Sequence, residues 1–578
     1  MRFASPRYGA LLMAVALTVC LTIPALAASP VIREDNPAAS DASPLALALA
    51  GVQAMLDQEA ANAGAQYAMP LHALNMRREV ISGNIVHYSF EVRFGEGKYD
   101  RFRLHRVVKE TKPGRPIRTA TNVFLQHGDA KNFVGMYLPG LYSPSTPDDF
   151  GFAVYLAQGG VDVWGIDQAW TLAPPDETDF AFMADYGIGR AMRDLKLGVA
   201  VARAVRLATA CGPGKMILSG YSSGVFETIA LLNEETQLPP LQRKIGAYIE
   251  IDCPYRTDNA ELQQFSITDL AYQEACLAAG QYQQFVAFSL LGELGRNHPD
   301  DPSPVIPGLT NYQAVCYFSF TPGILPPAPF HYWGGVMDGA GAFTGPRLTD
   351  REMWFDFLES AITWQPTMFF RDYDLLFSLP VSGLDSPYDD YLGLIRVPVL
   401  NATPMGGFGP VTEHSVALFG SQDVEMLMPS LGPPLETDIG HIDIFTWPGA
   451  ENLFWQPMLA WINAHSEGPG GLLFAAEDDE ATAPQPGSTT LSFGLERIVP
   501  NPQRGPLVLS FTLADGVSAR LEVVSVSGRL VHSAEVGDLG PGRHQLQLGG
   551  TTHLPTGVYL VKLTQNGRVS SQRVTIIQ

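Results

Sequence analysis

The segment 216–232 constrains the fold most, because its pattern predicts a strand, a sharp turn and a helix in immediate succession. It reads MILSGYSSGVFETIALL. Gly220 and Gly224 leave room for a strained turn that lifts the hydroxyl of Ser222 above the end of a sheet, beside the positive end of the following helix. In a chain with 56 glycines a Gly-x-Ser-x-Gly match also arises by chance, so the flanking strand and helix matter. Ser222 is the candidate nucleophile.

Strands alternate with helices around this turn. A hairpin is predicted over 84–93 and 99–108, followed by strands at 122–126, 161–167, 216–218 and 245–251 and helices at 152–158 and 185–209. This alternation predicts βαβ units and a parallel sheet covered by helices on both faces, with the chemistry at the carboxyl ends of the strands. The polar side chains predicted at such ends are His127, Asp167, Ser222 and Asp252.

The alternation stops over about 254–393, a stretch rich in aromatic residues and prolines. It is either a helical subdomain with its own apolar packing or a cap over Ser222 whose inner face binds an apolar group. We favour the cap, although both descriptions can hold together. The sheet is expected to resume at 395–400 and 424–428, and a helix at 452–464 closes the domain.

A serine nucleophile needs a base, an acid that orients the base, and donors for the oxyanion. His441 follows the last sheet strand and precedes the closing helix, which is the position of the base in this kind of fold. The acid is open: the segment 401–410 after strand 395–400 has no carboxylate, so we rank Glu413 first, Asp252 second and Asp423 third.

The oxyanion donors are predicted to be backbone amides. Ser223 follows the nucleophile and supplies one N–H, and Asp129, in the loop after His127, supplies the other. Because only the backbone would act, substitutions of these side chains test the roles poorly.

The N-terminus and the charge indicate export. Residues 1–27 combine Arg2 and Arg7 with an apolar run and an Ala-Leu-Ala cleavage pattern, which is typical of a secretory signal. The formal charge is −22, and removal of Arg2 and Arg7 makes it −24. So negative a chain is not expected to bind nucleic acid or anionic membrane surfaces.

Cleavage would leave Cys211, Cys253, Cys276 and Cys316, which permit two disulfides in three possible pairings. No Cys/His spacing of a zinc site is present, and the mechanism needs no cofactor or metal.

The C-terminal part has a different pattern. A Gly/Pro/Ser-rich linker with an acidic run covers 468–490, and short alternating strands separated by turns fill 491–578. This pattern predicts a small all-β sandwich, which serves as an accessory domain and holds no nucleophile and base pair.

Several motifs together resemble the acid lipase branch of the α/β-hydrolases, the gastric and lysosomal lipases. They are QHG at 126–128, FAVYLAQGGVDVW at 152–164, the sharp Gly-x-Ser-x-Gly turn at 220–224, which we call the elbow, and GHIDI at 440–444. The resemblance covers about 80–255 and 395–465 and implies an ester hydrolase with a helical cap and a Ser/Asp/His triad, placing Ser222 and His441 as nucleophile and base. Two departures are that Tyr221 replaces the family's histidine, and that the turn at 406–409 lacks the family's acid.

The tail has a resemblance of its own. The segments at 500–502, 521–529 and 556–563 are similar to the C-terminal immunoglobulin-like sorting domains of type IX secretion cargo and to flagellar hook-capping modules. The resemblance implies an interaction with secretion machinery and a cell-surface or secreted destination. A carbohydrate- or partner-binding module is the alternative.

The sequence thus predicts an α/β-hydrolase domain over 28–467 followed by a β-sandwich domain, and an exported serine hydrolase of carboxylic esters with an apolar acyl or aromatic group. An acyltransferase of the same fold and a catalytically silent surface binding protein are the alternatives, the second because the acid is missing at 401–410.

Overall fold

The computed structural model of the protein describes residue 53 and residues 71–212, 214–240 and 242–466, together with seven short segments near the C-terminus. The chain divides into two compact units, 1–476 and 477–578. The predicted signal, 1–27, and the predicted linker, 468–490, lie outside the described residues. The C-terminal segments are 494–495, 507–513, 517–525, 529–540, 542–548, 557–565 and 568–576.

The main sheet of the first unit has antiparallel strands at one edge. They are β1 (His72–Ser82), β2 (Ile85–Arg93) and β3 (Arg101–Lys112), and the short β4 (Arg115–Pro116) pairs with β3. β2 and β3 pair along their length from Ile85 opposite Lys109 to Arg93 opposite Arg101. The predicted hairpin is confirmed.

Next come parallel βαβ units. Their strands are short, almost wholly buried runs, as expected for a sheet covered on both faces. The elements are β5 (Asn122–Gln126), α1 (Phe133–Tyr137), α2 (Phe152–Gln158), β6 (Asp162–Asp167), α3 (Ile188–Ala208), β7 (Met216–Tyr221), α4 (Gly224–Glu235) and β8 (Ile245–Ile251).

Between β8 and the next strand of this sheet, the chain forms a mainly helical insertion. Its short strands pair with one another, β9 with β12 and β10 with β11, and not with the main sheet. The elements are α5 (Ala260–Ala278), β9 (Gln283–Phe285), α6 (Phe288–Asn297), α7 (Asn311–Phe320), β10 (Gly335–Met337), β11 (Phe343–Pro346), α8 (Arg351–Glu359), β12 (Trp364–Pro366) and α9 (Thr367–Ser382).

The chain then returns to the sheet. The elements are β13 (Val399–Ala402), α10 (Glu413–Ala417), β14 (Val424–Leu427), α11 (Asp443–Thr446), a π-helical turn at Glu451–Trp455 and α12 (Gln456–His465). β13 starts later than the sequence predicts, because Leu392–Leu394 forms a single 3-10 turn and the residues up to 398 stay outside the ladder.

The strand order is β1-β2-β3-β6-β5-β7-β8-β13-β14. The pairs from β6 to β14 are parallel, whereas β1, β2 and β3 are antiparallel. From β2 onward this is the order of the α/β-hydrolase fold, with β1 as an additional edge strand. The predicted fold class is confirmed, and the carboxyl ends of β5, β7, β8 and β13 lie side by side.

Alternate residues of the central strands face the two apolar cores. Phe124, Leu218 and Tyr248 belong to one core, while their neighbours Ile217 and Ile249 belong to the other. The helices on both faces are therefore held by the same strands that position the loops at their ends.

The second unit is a β-sandwich, as predicted. One core cluster includes Leu509 and Phe511 of one sheet and Leu521 and Val561 of the other. The sheets are β15-β16-β19 and β18-β17-β20-β21, with bounds β15 (Gly494–Leu495), β16 (Leu507–Leu513), β17 (Ala519–Ser525), β18 (Leu530–Glu535), β19 (Gly542–Leu548), β20 (Gly557–Gln565) and β21 (Arg568–Ile576).

The four cysteines predicted to remain after cleavage form no disulfide. Cys211, Cys253, Cys276 and Cys316 are all buried free thiols. Cys253 and Cys316 pack in the two apolar cores, whereas Cys211 Sγ accepts from Arg106 Nη2 at 3.5 Å and donates to the Ile117 carbonyl at 3.4 Å. Among the helices of the described ranges, none is long and apolar enough to cross a membrane.

A buried carboxylate joins β6 to β3 and α3. Asp162 accepts hydrogen bonds from Arg106 Nε at 2.7 Å and Arg106 Nη2 at 2.9 Å, and it also pairs with Arg206. Burial would raise the pKa of Asp162, but the two guanidinium groups outweigh it and hold that pKa below its usual value.

We expect Asp162→Asn to lower the free energy of unfolding by about 3–5 kcal/mol, because it leaves two buried cations without their anion. Urea unfolding followed by circular dichroism measures the loss. Asp176→Asn, at an exposed position, is the matched control and should change stability by less than about 0.5 kcal/mol. Equal stability of the two variants would contradict the importance of this ion pair.

Candidate active site

The turn between β7 and α4 holds Ser222 in a strained conformation. Its φ is 52°, in the left-handed region that side chains other than glycine rarely adopt. The Ser222 N–H donates to the carbonyl of Ile251 at 3.0 Å, which ties the turn to the end of β8. A Cβ atom on Gly220 would lie 2.6 Å from the carbonyl oxygen of Gly224, so the turn is as tight as the sequence predicts.

His441 reaches Ser222 from the loop between β14 and α11. Its Nε2 lies 2.9 Å from Ser222 Oγ. The backbone N–H of His441 donates to the carbonyl of His331 at 3.0 Å. Below this loop Asp443 accepts hydrogen bonds from the N–H groups of Gly334 and Gly440 at 2.7 and 2.9 Å. These contacts hold the backbone of the loop that carries the His441 imidazole.

Asp252 completes the chain of hydrogen bonds. It follows β8 directly, has a φ of 45° and is fully buried. Its Oδ2 lies 2.6 Å from His441 Nδ1, while Oδ1 accepts from the Phe408 N–H at 2.9 Å and from the Thr403 hydroxyl. The carboxylate can therefore hold the imidazole with Nδ1 protonated and Nε2 free to accept the serine proton.

The ranking of the acid has to be corrected. Glu413, ranked first, is the exposed first residue of α10, and Asp423, ranked third, makes an ion pair with His465 at 3.3 Å near the surface. Asp252, ranked second, is the carboxylate on His441.

The turn after β13 contains no carboxylate of its own. It packs around the Asp252 carboxylate instead. A Cβ atom on Gly407 would lie 2.0 Å from Asp252 Oδ2, so only glycine lets this turn close around the carboxylate. The Phe408 N–H then points at the same group. The sequence places Asp252 directly after the strand 245–251, but only the structure shows that this strand lies next to β7 and that the carboxylate reaches His441.

The two predicted oxyanion amides lie around Ser222. The Ser223 hydroxyl donates to Asp129 Oδ1 at 2.7 Å, which joins the residue after the nucleophile to the loop after β5. A Cβ atom on Gly128 would lie 2.6 Å from Ser222 Cβ, so this loop packs directly against the serine. Within the described ranges, neither the Ser223 nor the Asp129 N–H donates a backbone hydrogen bond.

Tyr221 stands where the resembled family has histidine, and it contacts His441 in two ways. Its hydroxyl donates to the carbonyl of His441 at 3.0 Å, and the two rings stack with centroids 4.8 Å apart. Phe330 and Phe408 pack against other sides of the imidazole at 5.3 and 6.0 Å. The imidazole thus lies in an aromatic shell that limits access of water.

The insertion and the loops around Ser222 line a cavity of about 380 Å³ that reaches Ser222 and His441. Its lining is mostly apolar and aromatic, with side chains from α5, α7 and α9 and from the loops around β9 and β12. The aromatic residues contributed by the insertion are Phe265, Tyr272, Phe285, Phe288, Phe318, Phe330, Tyr332, Phe357, Phe370, Tyr373 and Phe377.

One group of residues has the composition of a metal site. Asp423, Glu425 and His465 place one ligand atom each within 4.8 Å of one another, with both carboxylates exposed. None of the three lines the cavity next to Ser222. The hydrogen-bonded chain at Ser222 does not involve this group.

We expect Tyr221→Phe to lower kcat up to about tenfold with KM little changed. The ring stacked on His441 remains, while the buried hydrogen bond to the His441 carbonyl is lost. Tyr221→Ala removes the ring as well and should cost more. Steady-state kinetics on one hydrolysed substrate, with circular dichroism to verify folding, measure both effects. A rise in KM with unchanged kcat would show that Tyr221 acts on substrate binding instead.

Comparison with known protein sequences gives two results. Residues 497–578 match the sequence model of the secretion system C-terminal sorting domain. A search of curated proteins found no significant match.

Solved structures with similarity to the chain are α/β-hydrolases of low sequence identity. A proposed lipase from Sulfolobus solfataricus has 16% identity and a TM-score of 0.44, over 67% of this chain and 99% of that one. A laboratory-evolved variant of a potato epoxide hydrolase has 12% identity and a TM-score of 0.32, over 67% and 99%. The peroxisomal α/β-hydrolase Lpx1 of Saccharomyces cerevisiae has 11% identity and a TM-score of 0.32, over 71% and 93%.

These scores are low, so the fold is defined by the strand order of the chain itself. The protein combines an α/β-hydrolase fold with a C-terminal segment similar to secretion sorting domains.

Proposed function

We propose that the first unit is a serine hydrolase of carboxylic esters. The observation that carries the proposal is the hydrogen-bonded chain from Ser222 Oγ through His441 to Asp252, with distances of 2.9 and 2.6 Å, at the edge of an apolar cavity. A hydroxyl, an imidazole and a carboxylate in this order activate the hydroxyl for attack on a carbonyl carbon.

In the proposed reaction, Ser222 Oγ attacks the ester carbonyl as its proton passes to His441 Nε2. The oxyanion is stabilised by the N–H groups of Ser223 and Asp129. His441 then gives the proton to the leaving alcohol, and an acyl ester of Ser222 remains. Water, deprotonated by the same imidazole, attacks this ester; the bond to Ser222 Oγ then breaks, the imidazolium returns the proton to Oγ, and the acid is released. Asp252 orients His441 and stabilises the imidazolium in both halves of the reaction.

The aromatic lining supports an apolar acyl or aromatic group as the part of the substrate that the cavity binds. The silent binding protein was an alternative because the segment 401–410 holds no acid. The contact of Asp252 with His441 Nδ1 at 2.6 Å supports the hydrolase over this alternative. Transfer of the acyl group to an alcohol other than water uses the same machinery and would appear as transfer product in an assay with added alcohols.

We test the proposal with p-nitrophenyl esters of increasing chain length on the full chain. The native protein should hydrolyse them, and Ser222→Ala should abolish turnover. Asp252→Asn should lower kcat on the order of 10⁴-fold with KM little changed, since the imidazole would be held in the wrong tautomer. Glu413→Gln is the matched control and should stay within about twofold of native, because its side chain is exposed. Full activity of Ser222→Ala would overturn the proposal.

We also propose that the C-terminal unit directs export through a type IX secretion system. The match of 497–578 to a sorting-domain family supports this. In a host that carries this system, the full chain should reach the cell surface or medium, whereas a chain lacking 497–578 should stay inside the envelope. Fusion of 497–578 to an unrelated exported reporter is the control. Equal export with and without these residues would contradict the proposal.

A further inference from the structure

The loop after β5, which carries the predicted oxyanion donor Asp129, is bonded to the insertion. Asp129 Oδ1 accepts a hydrogen bond from Gln365 Nε2 at 2.8 Å, and Gln365 lies on β12 with 2% of its surface exposed. The carbonyl of the next residue, Ala130, accepts from the Ile362 N–H at 2.8 Å. Two consecutive residues of the loop are therefore held by β12 and by the segment just before it.

Lys131 extends this attachment to a third consecutive residue. It is 1% exposed, and its ammonium donates to the Phe357 carbonyl and, at 2.7 Å, to the Ser360 hydroxyl. It also lies 3.8 Å from the centre of the Phe357 ring. The partners of 129–131 all belong to 357–365, which comprises the end of α8, the loop after it and the start of β12.

The backbone of the loop needs such support. Ala130 has a φ of 60°, in the left-handed region that residues with a side chain rarely adopt. A conformation of this kind persists only where the surrounding structure holds it. The insertion supplies contacts on one side, and Gly128 packs against Ser222 on the other.

Asp129 connects the insertion to the second predicted oxyanion donor. The same Oδ1 that accepts from Gln365 also accepts from the Ser223 hydroxyl at 2.7 Å. Gln365, Asp129 and Ser223 all line the cavity next to Ser222. The sequence predicts only backbone roles for Asp129 and Ser223, but the structure bonds their side chains to each other and to the insertion.

We propose, resting on the ester hydrolase activity proposed above, that Gln365 and the Asp129 side chain are positioning residues for the oxyanion. Gln365 holds the Asp129 carboxylate, and the carboxylate holds Ser223, so that both backbone N–H groups point at the oxygen of the intermediate. Oxyanion donors act only when they are aimed at the place where negative charge develops, so a misplaced donor slows the reaction and leaves ground-state binding unchanged. The insertion would therefore set kcat in addition to lining the cavity.

The proposal predicts a specific pattern of kinetic effects. Gln365→Ala and Asp129→Ala should each lower kcat about tenfold to a hundredfold with KM little changed, since loss of one whole oxyanion donor costs about 10²–10³-fold. Asp129→Asn should recover most of the kcat lost in Asp129→Ala, because its side-chain carbonyl can accept both hydrogen bonds. The double variant should be no slower than Asp129→Ala alone, because Gln365 acts through Asp129.

Steady-state kinetics on the full chain measure these effects, with the p-nitrophenyl ester that the native protein hydrolyses best and circular dichroism to verify folding. Gln264→Ala is the matched control. Gln264 is an exposed glutamine of the same insertion, on α5, and does not line the cavity. This variant should stay within about twofold of native.

Two ketones separate oxyanion positioning from a structural role. With hexyl trifluoromethyl ketone, Ser222 Oγ bonds to the carbonyl carbon, the carbonyl π pair becomes an oxyanion, and the serine proton passes to His441 Nε2. Hexyl methyl ketone has the same alkyl chain and represents ground-state binding. In Gln365→Ala the inhibition constant of the trifluoromethyl ketone should rise by the factor by which kcat falls, while that of the methyl ketone should stay within about twofold.

The outcomes separate the two proposals. Ser222-dependent hydrolysis with native kcat in Gln365→Ala, or with a change in KM alone, would overturn the inference and leave the ester hydrolase in place. Equal losses of affinity for both ketones would also overturn it, since the contacts would then only shape the cavity. If Asp129→Ala does not fold, Gln365→Ala and the two ketones decide the inference.

A protein that hydrolyses no ester defeats the hydrolase proposal, and fluorine NMR of the trifluoromethyl ketone then decides the inference. An adduct on Ser222 that is weakened in Gln365→Ala supports the inference. An adduct of equal strength in both proteins, or no adduct at all, overturns it.

Discussion

The site depends on the hydrogen bond between Asp252 and His441, because this one contact joins the ends of two distant chain segments at the serine. Asp252 comes from the end of β8 and His441 from a loop that follows β14, 189 residues later. Both Asp252 and Ser222 have positive φ, a strain of about 1–3 kcal/mol for each residue. The buried parallel strands and the turn at Gly407 hold that strain, and the Ser222 N–H bond to Ile251 links the two strained positions directly.

The sequence predicts those parts of the fold that have a local pattern of apolar residues or turn residues. The hairpin, the βαβ units, the elbow and the strands of the C-terminal sandwich each have a period or a turn signal of their own, and the structure has them within a few residues. The predicted bounds of β13 were less accurate, because an apolar run such as 395–400 does not show which of its residues pair with the neighbouring strand.

The acid could not be chosen from the sequence, because its position depends on which strand ends are neighbours and on how a loop closes over them. Local pattern placed the acid after β13, where the resembled family has it. In the structure the glycine turn after β13 wraps around a carboxylate that belongs to β8. Partners such as the Thr403 hydroxyl and the Phe408 N–H carry no sequence signal, since any strand-to-loop transition offers similar groups.

The insertion sets the chemical character of the cavity next to Ser222. Its aromatic side chains provide a mostly apolar lining, and Phe330 packs against the His441 ring with centroids 5.3 Å apart. The carboxyl groups of Asp269 and Asp374 lie in the same lining, where burial raises the pKa of both.

The central claim is that Asp252 activates Ser222 through His441. The most direct measurement is the rate at which a fluorophosphonate labels the native chain, Asp252→Asn and Glu413→Gln, with the modified peptide located by mass spectrometry. The probe reports the nucleophile without knowledge of the natural substrate. We predict labelling at Ser222 in the native protein, an equal rate in Glu413→Gln and a rate lower by orders of magnitude in Asp252→Asn. Rapid labelling of Asp252→Asn, or labelling of a serine other than Ser222, would contradict the account.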